Sequence, residues 1–137
     1  MLTPEESVRE FHEKYWHLIA SHPSVPSQVI KDLRLSLCLE EMNEFITAII
    51  QNDFIEMADG AADLVYVVVG TLISYGIPFD RIFQEVHRSN MTKTASKAYE
   101  GQKYGEVNPK GPDYIAPNIK DILDHPDWPT QLEEMPR

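Results

Sequence analysis

The chain has 137 residues, 42% of them hydrophobic, which suits one domain with a real core and excludes disorder by composition. Its 22 acids against 12 Lys and Arg give a net charge of −10, which argues against general binding to nucleic acid or to an anionic membrane. One cysteine excludes an intrachain disulfide, the N-terminal stretch lacks an apolar signal core, and the longest apolar run, 64–69, is far shorter than a membrane span, so the expectation is a soluble cytoplasmic protein.

Thr3-Pro4-Glu5-Glu6 reads as a helix start, with Thr3 as cap, Pro4 in the first turn and Glu6 completing a capping box. Val8, Phe11, Tyr15, Leu18 and Ile19 mark one face of this first helix. Two prolines in 21–26 then make a loop. Ser27 caps a second helix over 28–51, which contains no Gly or Pro. Cys38, Met42, Phe45 and Ile49 recur along it at helical spacing and form its expected core stripe. Gln51-Asn52-Asp53 is a short polar break.

The next stretch is ambiguous at first sight. The β-branched run at 64–69 would suit a buried strand. The absence of proline from 54 to 75 and the alanines at 58, 61 and 62 decide for one long helix instead. Its second half is apolar nearly all round and should be buried. Gly60 and Gly70 oppose helix by about 1 kcal/mol each relative to Ala and point to close packing or ligand approach. Gly76 stops this helix and Pro78 restarts the chain into a fourth, with Phe79, Ile82, Phe83 and Val86 on its apolar side, ending at Ser89-Asn90. From Gly101 the chain is rich in proline and reads as an irregular tail with one short helix near 118–123. The expected organisation is an all-α, four-helix domain over 1–100 with the tail 101–137 packed on it.

The chemistry lies in the hairpin of the second and third helices. Glu40, Glu41 and Glu44 fall within an arc of roughly 100° on one helix. Glu56, Asp59 and Asp63 repeat the arrangement on the next. Reflection about residue 52 sets Glu41 opposite Asp63 and Glu44 opposite residues 59 and 60. Like charges so placed repel, and a cation between them reverses the sign. Oxygen ligands from two rigid helices suit Mg²⁺ or Mn²⁺ and not zinc. For any one of these acids, a solvated helix face is the simpler account; the pairing of the whole set across a turn is what points to a site.

These residues resemble the MazG-like superfamily of all-α nucleoside triphosphate pyrophosphohydrolases. Glu41-Met-Asn-Glu44 matches its E-x-x-E motif, with Glu40 as an additional acid, and Asp63 followed by Leu-Val-Tyr matches the closing Asp of its E-x-x-D motif. The runs Ala62 to Val67, Gly76 to Pro78 and Glu85 to Lys93 are similar to the branch related to dimeric dUTPases. One position departs. Three residues before Asp63, where the family has Glu, this chain has Gly60, with Asp59 one place earlier and Glu56 a turn before that.

The resemblance implies a four-helix fold and cleavage between the α- and β-phosphates of a nucleoside triphosphate, giving the monophosphate and pyrophosphate. It implies Glu41, Glu44, Asp59 and Asp63 as ligands of Mg²⁺ or Mn²⁺, with Glu56 as a further ligand or a solvated neighbour. Glu40 and Glu41 are the catalytic candidates, Glu40 orienting or deprotonating the water. Asn90 and Lys93 would contact the nucleotide, unless Asn90 is only a helix cap and Lys93 a surface lysine. Tyr66 would line the pocket, with core packing as its simpler role; Lys103 and Lys110 are weaker candidates for closing over phosphates. Two other functions stay open: hydrolysis of another pyrophosphate-bearing substrate such as phosphoribosyl-ATP, and a non-catalytic helical module that senses nucleotide or binds a partner. A bundle with one helix apolar all round often completes its core with a second copy, so a homodimer or higher homo-oligomer is expected.

Overall fold

The computed structural model describes residues 1–94 and 110–125. Among them there are five helices and no strand: α1 Pro4–Tyr15, α2 Gln28–Gln51, α3 Phe54–Tyr75, α4 Phe79–Asn90 and α5 Ile119–Asp124. The chain divides into two compact units, Met1–Asp80 and Arg81–Arg137. Most of the proline-rich tail lies outside the described residues, but its short helix is present, and Asn118 caps it by accepting from the Asp121 N–H at 3.2 Å.

In the first unit the caps fall where the side-chain chemistry puts them. Thr3 accepts from the Glu6 N–H at 3.2 Å and its own N–H donates to Glu6 Oε2 at 2.7 Å, a reciprocal capping box. The Ser27 hydroxyl accepts from Ile30 N–H at the start of α2. Gly76, at φ 72°, closes α3 in the left-handed region that glycine enters without steric cost. One end differs from expectation. α1 stops at Tyr15 because Trp16 turns into the left-handed region at φ 63°, so Leu18 and Ile19 belong to the following loop. Ile19 nevertheless reaches the core from there, and the loop is fastened to the end of α3 by Ala20 N–H to Ile73 O and Ser74 Oγ to Leu18 O.

The buried apolar cluster is small: Val8 of α1 with Val69 and Ile73 of α3, joined by Ile19 and Phe79. Beside it sits a buried polar junction. Arg34 of α2 donates from Nη1 to His12 Nε2 at 3.3 Å, and His12 Nδ1–H donates to Leu18 O at 3.1 Å. Both bonds require the neutral Nδ1–H tautomer of His12. Gly70 makes room for the pair, since a Cβ there would stand 2.9 Å from both Arg34 Nη1 and His12 Nε2. A second polar tie holds the start of α4: buried Glu5 accepts from the Asp80 N–H at 2.9 Å.

The expected core stripe of α2 is only partly buried. Phe45 and Cys38 are half-buried, while Met42 and Ile49 are exposed, as are Leu35, Leu39, Ile46 and Ile50. The apolar second half of α3 likewise exposes Val65 and Val68. Over its whole length, rather than the short run 64–69, α3 is long and apolar enough to cross a membrane. Its first half carries Glu56, Asp59 and Asp63, and its buried residues Val69 and Ile73 belong to the cluster with α1.

In the second unit, Glu85 and Arg88 form a two-bond pair at 2.9 and 2.7 Å. Arg88 also donates to Ala116 O, and Glu85 accepts from the Asn118 N–H at 2.8 Å. Ser89 Oγ donates to Ile115 O at 2.8 Å, so the segment before α5 is laid along α4 by side chains of α4 itself. The Arg88 hydrogen bonds, reinforced by the Asn118 N–H, hold the Glu85 carboxyl below its ordinary range despite opposing burial.

His12 makes α1 docking sensitive to acid. Burial pushes its pKa below the ordinary histidine value, and Arg34, His17 and Arg9 push the same way against the Leu18 hydrogen bond. The unfolded chain therefore binds this proton more readily than the folded one. The stability it contributes is complete above about pH 6.5 and is lost as pH falls through the lower folded value. Chemical denaturation at pH 7.5 and pH 5.5 should show a clear loss at the lower pH, and His12→Gln should flatten that step. An unchanged pH dependence in His12→Gln would remove His12 from this role.

Candidate active site

The site is organised by the turn between α2 and α3. Asn52 takes the left-handed conformation at φ 56° and its N–H donates back to Ala48 and Ile49 carbonyls. Asp53 then caps α3, its Oδ1 accepting from the N–H groups of Ile55 and Glu56 at 3.1 Å each. The polar break Gln51-Asn52-Asp53 thus ends one helix and starts the next within two residues.

The register of the hairpin is set at Gly60. A Cβ on Gly60 would stand 3.2 Å from the Phe45 Cα, so the two backbones nearly touch there. Pairing 45 with 60 places residue 41 level with 64 and residue 44 level with 61. Position 60 faces the α2 backbone, and a glutamate there would not fit without moving the helices apart. That is the physical account of the departure from the E-x-x-D pattern at this position.

Glu41 is the centre of the acidic edge. It is half-buried, and its Oε2 is fully buried with no hydrogen-bond partner among the described residues. Burial pushes its carboxyl above the ordinary range, and Glu44, Asp63, Glu40 and Asp59 push further in the same direction. Those four acids are themselves exposed. The structure therefore gathers Glu40, Glu41, Glu44, Asp59 and Asp63 into one electrostatic neighbourhood on two helices. They share an edge without closing on a point: among the described residues no three His, Cys, Asp or Glu side chains are close enough to hold a metal ion as they stand. The donor set nonetheless fits a hard divalent cation. It is all carboxylate oxygen, and it includes a buried oxygen whose desolvation no described residue offsets.

Glu44 also borders a cavity of about 390 Å³, lined with it by Asn43, Thr47, Ala48 and Gln51 of α2 and by Glu56 of α3. Sequence reasoning did not single out the neutral residues of this groove. Their only signal is the spacing of 43, 47 and 51, which places them on one row of the helix.

The remaining candidates belong to other elements. Tyr66 packs against α1, its ring edge-on to Phe11 at 5.5 Å, and lines an apolar cavity with Pro4, Val8, Ala61 and Val65. Its phenol is pushed up by burial and then by Glu10 and Tyr15, groups of α1 and not of the acidic edge. Asn90, the last residue of α4, and Lys93 belong to the second unit, where the Lys93 N–H donates to Asn90 O at 3.1 Å in a turn. Lys110 lies over the Tyr114 ring at 5.1 Å, and Lys103 is outside the described residues.

The family model for phosphoribosyl-ATP pyrophosphohydrolase matches residues 8–90. The chain belongs to that family. The match runs from within α1 to the end of α4 and includes every acid of the hairpin. It makes the chain a pyrophosphohydrolase-type all-α enzyme of the MazG-like superfamily, a hydrolase acting on acid anhydrides, in agreement with the resemblance read from the motifs. A search of curated proteins finds no match.

The crowding at Glu41 has a cost in the metal-free protein. Because its folded pKa is raised, ionised Glu41 opposes folding above the ordinary carboxylate range. Glu41→Gln should therefore raise metal-free stability at pH 7.5 by roughly 0.5 kcal/mol, the scale of one or two relieved like-charge pairs with exposed partners. Urea denaturation in EDTA checks this. A loss of more than about 1 kcal/mol would show that the carboxylate is held by favourable contacts instead.

Proposed function

We propose that this chain is a Mg²⁺-dependent nucleoside triphosphate pyrophosphohydrolase, cleaving between the α- and β-phosphates to release a monophosphate and pyrophosphate. The observation that carries this reading is the unpartnered, buried Glu41 oxygen inside a five-acid edge built from two helices. A phosphorylated substrate cannot approach such an edge unless cations intervene.

In this reading Glu41, Glu44, Asp59 and Asp63 hold the ion, Mg²⁺ or Mn²⁺, and Asp59 supplies the carboxylate that Gly60 cannot. When bound, the metal would offset charge developing on the phosphate oxygens and lower the pKa of an attacking water. In the same reading Glu40, exposed beside Glu41, orients that water and accepts its proton. Glu41 serves both in holding the ion and in that proton chemistry. Asn90 and Lys93 are candidates for contacts to the nucleotide on the resemblance of their motif alone. For Tyr66 the packing against α1 supports a structural role.

The second reading, hydrolysis of phosphoribosyl-ATP, is favoured by the name of the matched family. Both readings use the same bond cleavage and the same acids, and they differ in what lies beyond the ribose. A turnover screen separates them: each NTP, each dNTP including dUTP, and phosphoribosyl-ATP, with Mg²⁺ or Mn²⁺, and products resolved by chromatography. Monophosphate and pyrophosphate should form, and Glu44→Gln and Asp63→Asn should each lower kcat/KM at least 100-fold. Turnover of phosphoribosyl-ATP alone would select the second reading, and turnover of nothing would leave a binding module.

We further propose that the enzyme is a homodimer or larger homo-oligomer. Exposed Leu35, Leu39, Met42, Ile46 and Ile50 on α2 support this, since a contiguous apolar face of this kind marks an interaction surface. Light scattering at micromolar concentration should give at least twice the 15.7 kDa chain mass. A monomer that turns over fully would rule the oligomer out.

A further inference from the structure

We infer that the groove between Glu44 and the α2–α3 turn receives the nucleoside end of the substrate, and that Asn43 and Gln51 read its base. The inference rests on the triphosphate reading above and goes beyond it by assigning the specificity residues and the kind of nucleoside they accept.

Glu44 belongs both to the acidic edge and to the groove, so the two are continuous. From Glu44 the α2 backbone rises about 10 Å to Gln51 at 1.5 Å per residue, room for a sugar and a base beyond the phosphates. The cavity, about 390 Å³, falls in the range of small-molecule sites, roughly 300–1,000 Å³.

The lining has the chemistry for a neutral heterocycle. Asn43 and Gln51 are exposed on one helical row, and neither side-chain amide is engaged in a hydrogen bond among the described residues. Each amide offers donors and an acceptor, the complement of a base edge. The Thr47 hydroxyl donates to Asn43 O at 2.8 Å, which leaves its oxygen to accept from a ligand. Ala48, buried between them, gives a small apolar floor.

The charge of the groove sharpens the ligand. Its two ionisable lining residues are Glu44 and Glu56, and none of its described lining residues is a Lys or Arg. A second phosphate carried beyond the base would meet carboxylates and no cation. The groove therefore suits a nucleoside whose base end bears no further phosphate, an ordinary or base-modified nucleotide rather than one extended by a phosphoribosyl group.

The test measures kcat/KM for the NTP and dNTP series and for phosphoribosyl-ATP, with pyrophosphate and monophosphate resolved, in wild type, Asn43→Ala, Gln51→Ala and Gln51→Glu. The wild type should prefer one base, and the ratio of its best to its worst nucleotide should fall at least tenfold in Gln51→Ala or Asn43→Ala, mainly through KM. Gln51→Glu, which keeps size but replaces the amide donors with acceptors, should reorder the bases. Circular dichroism confirms the helices of each variant.

Ratios within twofold of wild type in all three variants would overturn the assignment while leaving the triphosphate reading intact. So would a wild type without base preference. Turnover of phosphoribosyl-ATP above every simple nucleotide would overturn the charge argument. A wild type that releases pyrophosphate from no nucleotide removes the underlying reading and this inference with it.

Discussion

Two helix backbones meet at Gly60 and Phe45, and the geometry of the acidic edge follows from that contact. With no side chain at 60, α3 can approach the α2 main chain until a Cβ would have only 3.2 Å. The intrinsic cost of glycine in mid-helix, about 1 kcal/mol, is accepted for this approach. A wider separation would draw Asp59 and Asp63 away from Glu41 and Glu44 and weaken the mutual repulsion that helps raise the Glu41 carboxyl. The same contact disfavours any side chain at 60, since the Phe45 backbone would have to give way to it, and the acids of this part of α3 stand at 56, 59 and 63 instead.

The edge so formed is electrostatically unfavourable by itself, and the fold holds it from a distance. The buried apolar cluster lies with Val8, Val69 and Ile73, toward the other end of α3 from the turn. The His12–Arg34 pair and the Glu5 tie to Asp80 secure α1 and the start of α4 around that end. α3 is therefore divided in function: its second half anchors, and its first half projects Asp59 and Asp63 from the anchor. A helix can do this because its rigidity carries positional order over several turns. The short turn at Asn52 supplies the second constraint, since Asp53 satisfies two N–H groups of α3 as soon as α2 ends.

Most helix boundaries were legible in this chain because they are marked by local chemistry: Thr3 with Glu6, Ser27, the Asn52-Asp53 break, Gly76 and Asn118. The acids were legible because reflecting a hairpin about its turn is a one-dimensional operation. Trp16 was not, since a tryptophan in the left-handed region carries no sequence signal and simply ends α1 before Leu18. The burial of α2 departs from its periodicity for a different reason. Periodicity reports which residues share a face, and Met42 and Ile49 do continue the row of Cys38 and Phe45. It does not report whether anything in the same chain covers that face. Arg34 was invisible for a related reason: its burial depends on a glycine on another helix and a histidine on a third. The amides beside Glu44 lack any charge or spacing that separates them from ordinary surface residues, and only a cavity around them gives them meaning.

The apolar residues left exposed on α2 bear on the site as well as on assembly. α2 carries the acids on one edge, while Leu35, Leu39, Met42, Ile46 and Ile50 stand uncovered along the same helix. The proposed cation site must keep its carboxylates in register without the ion, because their repulsion acts to spread the helices. In the single chain, α2 is restrained by α3, by the Asn52 turn and by Arg34. Covering its apolar residues with a second copy would add hydrophobic burial at about 25 cal/mol per Å². That term does not weaken when the cation is absent. Self-association of this kind would stabilise the metal-free form most, the state in which Glu41 is least compensated. The acidic edge and the apolar face are then two parts of one arrangement, in which burial on one side of α2 offsets charge on the other.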